Sequence, residues 1–291
     1  MRALIYLGCT VPVRNLNYEA SARKVAEKLG VELVDDDQLA CCGFPLKSAD
    51  QAAALAIAAR NLAVAAKHDL PILPLCSACA GTLAEAAHHL DHHPEAREMV
   101  NRKLAPLGLA YEPGVKVKHF LRFLAEDYGL DNLKAKMTRS LAGYSFAPHY
   151  GCHYLKPSEV VAGSDDPENP ESLARLIELT GASAHEYSRL KDCCGGGVLG
   201  ADEDLANSMS GGKLAELSES EITALALACP FCNVMFEGQQ KAIGKKLESK
   251  LKVPVVYVTQ VLGLGLGISP DELGFKLNRV KPKEMLKALE G

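Results

Sequence analysis

Ten cysteines fall twice into one pattern. The first set is Cys9, the vicinal pair Cys41-Cys42, and Cys76 with Cys79; the second is Cys152, Cys193-Cys194, and Cys229 with Cys232. The gaps are 31 and 33 residues in the first set and 40 and 34 in the second, each set closing on a CxxC. No cysteine lies outside these sets. Clustered thiolates bind soft metals or carry redox chemistry. Zinc would use four thiolates in a closed tetrahedral site and leave one spare in each half. An ordinary cubane iron–sulfur cluster also uses four. An unusual multi-iron cluster could use all five, because adjacent cysteines are poorly placed to serve one ion but can flank several. The residue chemistry favours iron–sulfur over zinc and leaves the cluster's shape open.

The elements that position these thiols read as alternating strands and helices. Residues 3–7, 31–34, 70–75 and 115–118 read as strands; 17–29, 50–68 and 119–128 read as helices, the first ending at Gly30. In the second half, strands are expected near 144–148, 224–228 and 254–258, and helices near 171–180 and 232–248. This alternation predicts an α/β fold of parallel sheets flanked by helices. The halves align at offsets of 143 residues at Cys9, 152 at Cys41 and 153 at Cys76. Two pseudo-symmetric lobes follow, 1–140 and 141–291, with 129–143 as the boundary region and 163–170 as a polar loop. Cys9, Cys76, Cys152 and Cys229 then each sit just after a strand, at the ligand-binding edge of an open α/β sheet. Both CxxC motifs open a helix, whose N-terminus stabilises thiolates and anionic clusters. Gly43 and Gly195–Gly197 would let backbone approach a bulky cofactor.

Composition bounds the rest. Apolar residues make up 48% of the 291 and charged residues 23%, ordinary for a globular chain that can bury a sizeable core. A formal charge of −4 argues against nucleic-acid binding. No apolar run reaches the ~18 residues of a membrane span, and the opening MRALIYLGCTVP is interrupted too soon for a signal peptide. A cytoplasmic setting is therefore expected, where five disulfides would be out of place.

Cys-x31-CysCysGly-x32-Cys-x2-Cys and its second copy resemble the duplicated cysteine-rich CCG domain. That family includes the B subunits of heterodisulfide reductase from methanogenic archaea, E-type succinate:quinone reductase subunits, thiol:fumarate reductase and glycolate or lactate oxidation proteins. The strings HYGCHYLKP (149–157) and DCCGGG (192–197) are most similar to the heterodisulfide reductase B subunits. The resemblance implies a noncubane [4Fe–4S] cluster on each cysteine set and catalytic reduction of the mixed disulfide of coenzyme M and coenzyme B, CoM-S-S-CoB. It implies partners as well: a ferredoxin-like C subunit, a flavin-bearing A subunit and an upstream hydrogenase or formate dehydrogenase. A related CCG protein serving hydroxy-acid or quinone chemistry is the alternative, and a zinc-bearing structural protein is a third. Cleaving a disulfide takes two electrons, and two clusters sharing one site could each deliver one. His153, beside Cys152, is the candidate proton donor, since histidine titrates near neutrality; a plain hydrogen-bonding role is as consistent with its position. The substrate's sulfonate, phosphate and carboxylate call for cations, for which Arg14, Lys47 and Lys156 lie near the motifs.

Other signals are set aside. Gly195-x-Gly197-x-x-Gly200 matches a dinucleotide fingerprint but follows a cysteine pair, so it reads as cluster-side backbone. Gly263, Gly265 and Gly267 align with a helix end. His88, His89, His92 and His93 read as solvated helix-end histidines. Lys276, Arg279, Lys281, Lys283 and Lys287 read as a surface helix or a partner contact.

Overall fold

The computed structural model describes residues 1–161 and 165–290; residues 163 and 164 of the expected polar loop lie outside them. Each half builds one wholly parallel sheet on an apolar central strand. In the first half β1 (Arg2–Tyr6) runs between β2 (Glu32–Val34) and β3 (Ile72–Pro74). In the second half β4 (Ser145–His149) lies between β5 (Ser183–Ala184) and β6 (Ala224–Leu227), and β7 (Val255–Tyr257) completes the edge beside β6. Ala3–Tyr6 and Phe146–His149 are buried throughout, the near-continuous burial of a parallel strand covered on both faces.

The register is homologous. β1 pairs β3 through Leu4–Ile72, Ile5–Leu73 and Tyr6–Pro74, and β4 pairs β6 through Phe146–Ala224 to His149–Leu227. The counterpart of β7 is reduced to a single parallel bridge, Ile72 to Val117. The expected strand at 115–118 is therefore only a bridge, held by Ile72 N–H to Lys116 O at 2.9 Å and Lys118 N–H to Ile72 O at 3.1 Å. Lys116 and Lys118 interrupt the apolar run there, whereas Val255–Tyr257 is wholly buried.

Corresponding helices begin alike. Asp50 caps Gln51–Ala66 by accepting from Ala53 N–H, and Asp202 caps Glu203–Ser218 by accepting from Leu205 N–H. Residues 203–218 carry Ser208, Ser210, Gly211 and Gly212, which hide helical periodicity. The gap they leave admits Ile243, whose Cγ2 lies 3.3 Å from a Cβ built on Gly211. The expected helix 232–248 is divided: Pro230–Asn233 passes through a π turn, Val234–Gly238, into Gln240–Lys246. The helix after His119 likewise passes from Phe120–Phe123 into a π turn, Leu124–Gly129. Gly263 and Gly265 are packing positions in the helix Val258–Gly265, against Leu273 and Thr180.

The lobes lock through an apolar seam crossed by buried hydrogen bonds. Tyr18, on the helix Leu16–Leu29, stacks on Tyr257 of the second lobe with ring centroids 3.9 Å apart. Its hydroxyl donates to Ala228 O at 3.2 Å. Ser21 and Thr259 hydroxyls meet at 2.7 Å, and Asn17 Nδ2 donates to Asn278 Oδ1 at 3.1 Å. Buried polar pairs of this kind fix one relative orientation where greasy contact alone would slide.

Candidate metal centre

All ten thiols form one continuous line through the molecule. In the first lobe neighbouring sulfurs run Cys9, Cys41, Cys42, Cys79, Cys76. Cys76 Sγ lies 3.8 Å from Cys229 Sγ, and the line continues Cys229, Cys232, Cys194, Cys193, Cys152. The order is the same read from either end, as the duplication requires. Cys9 and Cys152 are the exposed ends; Cys76, Cys79, Cys229 and Cys232 are buried at the middle.

The local backbone is built for sulfur. Gly8 and Gly151 take left-handed φ of 64° and 76° just before Cys9 and Cys152, which turns the chain off the strand end. Gly43 and Gly195 do the same after the vicinal pairs, at 90° and 75°. A Cβ on Gly195 would meet Ala206 O at 2.7 Å, and one on Gly43 would meet Ala54 O at 2.9 Å. The chain can hug its helix only without a side chain. That path aims Gly195 N–H at Cys193 Sγ and Gly196 N–H at Cys194 Sγ, each at 3.4 Å. Gly43 and Phe44 N–H serve Cys41 and Cys42 in the same way. The glycines of DCCGGG are thus sulfur-facing backbone.

Protons are unevenly shared along the line. Cys42 is drawn down to about 7, first by the Cys79 thiol. Cys193 and Cys229 are also lowered, first by Cys152 and Cys232 respectively. The donating partners Cys79, Cys152 and Cys232 are raised. Five soft donors per lobe, ringed by N–H groups and with no carboxylate in the line, fit an iron–sulfur group better than a four-thiolate zinc site.

Two buried polar side chains distinguish the lobes. His149, at the end of β4, places Nε2 3.3 Å from Cys232 Sγ and Nδ1 2.8 Å from Lys213 Nζ. Lys213 is fully buried, and it also donates to Leu190 O at 3.0 Å and Asp192 O at 3.1 Å. Burial lowers it to about 8. His149, Cys194 and Cys232 offer ligand atoms within 4.8 Å of one another. His149 opens the string HYGCHYLKP but has no role assigned by sequence pattern, and Lys213 does not stand out, since a helix lysine ordinarily reads as surface charge.

His153 sits at the lobe seam. Its ring meets Phe44 edge-on at 4.9 Å, and its Cβ lies 3.1 Å from a Cβ built on Gly81. Phe44 also faces Phe231 at 6.2 Å. Residues beside both cysteine sets therefore meet around His153, and burial holds its imidazole toward the neutral form. An open cleft of about 660 Å³ adjoins it, lined by Cys152, His153, Lys156, Glu85, Glu159 and Glu168 among others. Lys156 pairs with Glu168 at 3.5 Å, and Lys47 pairs closely with Glu85. Arg14 is exposed at the end of the short helix Val11–Arg14, after Cys9. The cations sought for an anionic substrate are thus two paired lysines among carboxylates and one exposed arginine. The four helix-end histidines meet pairwise with tilted rings, His88 with His92 and His89 with His93, each pair with centroids 4.4 Å apart.

Among the described residues no helix is long and apolar enough to cross a membrane. The chain is 35% identical over 286 residues to the B subunit of the ferredoxin/F420H2-dependent CoB-CoM heterodisulfide reductase of Methanosarcina acetivorans, covering 97% of this chain and 95% of that one. It is 31% identical to the 8-methylmenaquinol:fumarate reductase membrane anchor subunit of Wolinella succinogenes, covering 93% and 94%. A crystal structure of a hypothetical protein from Helicobacter pylori matches with a TM-score of 0.75 at 15% identity, over 96% of this chain and 52% of that one. This chain spans about half of that protein, and the likeness speaks to fold alone. The CCG family model, described as a cysteine-rich domain, matches twice, over residues 3–84 and 146–237. The chain belongs to the cysteine-rich CCG domain family, among the relatives of the heterodisulfide reductase B subunits.

Proposed function

We propose that this chain is the catalytic subunit of a CoB–CoM heterodisulfide reductase. Cys9, Cys41, Cys42, Cys76 and Cys79 would bind one noncubane [4Fe–4S] cluster, and Cys152, Cys193, Cys194, Cys229 and Cys232 the other. The observation that carries the reading is the meeting of the two thiol sets at Cys76 and Cys229, 3.8 Å apart, because the reaction requires two electrons at one place. When bound, the clusters would supply those electrons to CoM-S-S-CoB; with two protons the sulfur–sulfur bond gives two thiols.

The protein's own contribution is to hold, orient and protonate. The carboxyl ends of the central strands place Cys9 and Cys152 at the exposed ends of the line. His153 lines the open cleft beside Cys152 and can pass a proton to a departing thiolate. Burial favours its neutral form, so it would take that proton up from the cleft during turnover. Lys47, Lys156 and Arg14 would hold the anionic arms of the substrate, the two lysines exchanging Glu85 and Glu168 for it. Electrons would come from a ferredoxin-like C subunit and a flavin-bearing A subunit, fed by a hydrogenase or formate dehydrogenase. Residues 1–140 and 141–291 would be the two CCG domains, working in the cytoplasm.

A second reading is supported by the likeness to a menaquinol-linked fumarate reductase subunit over nearly the full length of both chains. Anaerobic assay of the purified chain with a low-potential chemical donor separates the two. Reduction of CoM-S-S-CoB supports the first reading. Failure with the heterodisulfide alongside turnover of a quinone or quinol supports the second.

A further inference from the structure

The two thiol sets are near-copies, but the groups behind them are not. Tyr6 occupies in β1 the place of His149 in β4, at the same offset of 143 residues that relates Cys9 to Cys152. Asn61 occupies the place of Lys213, at the offset of 152 that relates Cys41 to Cys193. The hydrogen bonds correspond. Tyr6 spends its one hydroxyl proton on Ala40 O, and Lys213 donates to Asp192 O, the residue equivalent to Ala40. Asn61 accepts from Ala40 N–H at 2.8 Å and donates to Cys41 O at 2.9 Å. The first lobe therefore backs its thiols with a neutral pair, and the second with a lysine and an imidazole.

Donor counting fixes how that second pair is protonated when Cys232 binds metal. A metal-bound thiolate carries no proton, so His149 Nε2 must be the donor across the 3.3 Å contact. Nδ1 is then the acceptor. Lys213 faces three acceptors, His149 Nδ1, Leu190 O and Asp192 O, and only an ammonium has three protons to give. The charge is housed between the rings of Tyr187 and Phe236, whose centroids lie 5.3 Å and 5.7 Å from Nζ. The Asp192 carboxylate is engaged by Arg189 at 2.8 Å. A positive charge thus stands two hydrogen bonds from a cluster sulfur in one lobe and has no equivalent in the other.

We propose that the Lys213–His149 pair makes the two centres electrochemically unequal, holding the centre on Cys152, Cys193, Cys194, Cys229 and Cys232 at the higher reduction potential. A nearby cation and an N–H directed at sulfur both favour the more negative, reduced state of a cluster. This inference rests on the reading of two iron–sulfur centres. Lys213 acts through His149 and is a positioning residue. The inequality gives the paired site a polarity that the duplicated thiols alone do not supply.

The test is a spectroscopically monitored redox titration of the anaerobically isolated full chain, with iron counted on the same sample. The native chain should show two separate midpoints. Lys213→Met should lower the upper one by at least tenfold in the one-electron equilibrium constant, about 59 mV, and leave the lower in place. The double variant His149→Tyr with Lys213→Asn installs the pair already housed in the first lobe, so it guards against a folding failure of the single change. It should bring the two midpoints together with iron unchanged. Coincident native midpoints at full iron, or equal movement of both in the variants, overturn this inference and leave the two-centre reading standing. Loss of iron from the double variant overturns it too, by making His149 a ligand or a structural prop. A native chain with iron for fewer than two clusters overturns the two-centre reading itself.

Discussion

Cys76 Sγ and Cys229 Sγ lie 3.8 Å apart at the midpoint of the thiol line, each the first cysteine of a CxxC and each from a different lobe. This contact joins two inherited copies of one cysteine motif into a single unit. If each copy still closes its own centre, Cys76→Ser and Cys229→Ser should each reduce iron from about eight atoms per chain to about four. Iron and acid-labile sulfide on anaerobically purified variants check this. Complete iron loss from either single variant would mean that the thiols form one indivisible centre.

His153→Ala should slow disulfide turnover about 100-fold, the lower range for loss of a general acid, with iron content unchanged. Steady-state kinetics beside iron analysis separates the roles. Iron loss would instead make the ring a packing element against Phe44 and Gly81.

Gly195→Ala should cost about 2 kcal/mol or more, because it combines a left-handed φ of 75° with a Cβ 2.7 Å from Ala206 O. Gly43→Ala should behave alike, since its Cβ would meet Ala54 O at 2.9 Å. Denaturant midpoints of both variants test this, and iron occupancy should fall with them, because the strained turn carries the N–H groups that face sulfur.

Tyr18→Phe should cost only about 0.5–1 kcal/mol. Ala228 O keeps two other donors, His119 Nε2 at 2.9 Å and Ser77 Oγ at 3.3 Å, and the stack on Tyr257 survives. Tyr18→Ala removes the stack and should cost about 3–5 kcal/mol. Urea unfolding of the two variants should differ by that wide margin.

Lys156→Met should raise KM for an anionic disulfide by roughly fivefold with kcat little changed, because an exposed lysine contributes about 1 kcal/mol or less. A fall in kcat without a change in KM would remove Lys156 from substrate binding.

What could be read in advance followed the cysteines. Their spacing located both CCG turns, and alternating apolar runs located the strands that carry them. The lysines at 116 and 118 broke that rule, and the strand expected there shrank to one bridge at Val117. The helix Glu203–Ser218 was hidden because glycines and serines blur its face, yet it carries Lys213. Its signal lay in the repeat: the offset of 152 that relates Cys41 to Cys193 also relates Asp50 to Asp202 and Asn61 to Lys213. His149 was obscure for the same reason, since its counterpart is a tyrosine. Three-dimensional packing, not residue type, aimed His149 at Cys232 and buried Lys213 behind it.

The most direct test of the central claim is metal analysis of the full chain, purified without exposure to oxygen. Two iron–sulfur centres require about eight iron and eight sulfide per chain, with zinc negligible. One zinc per lobe, or iron for a single cluster only, would contradict the account.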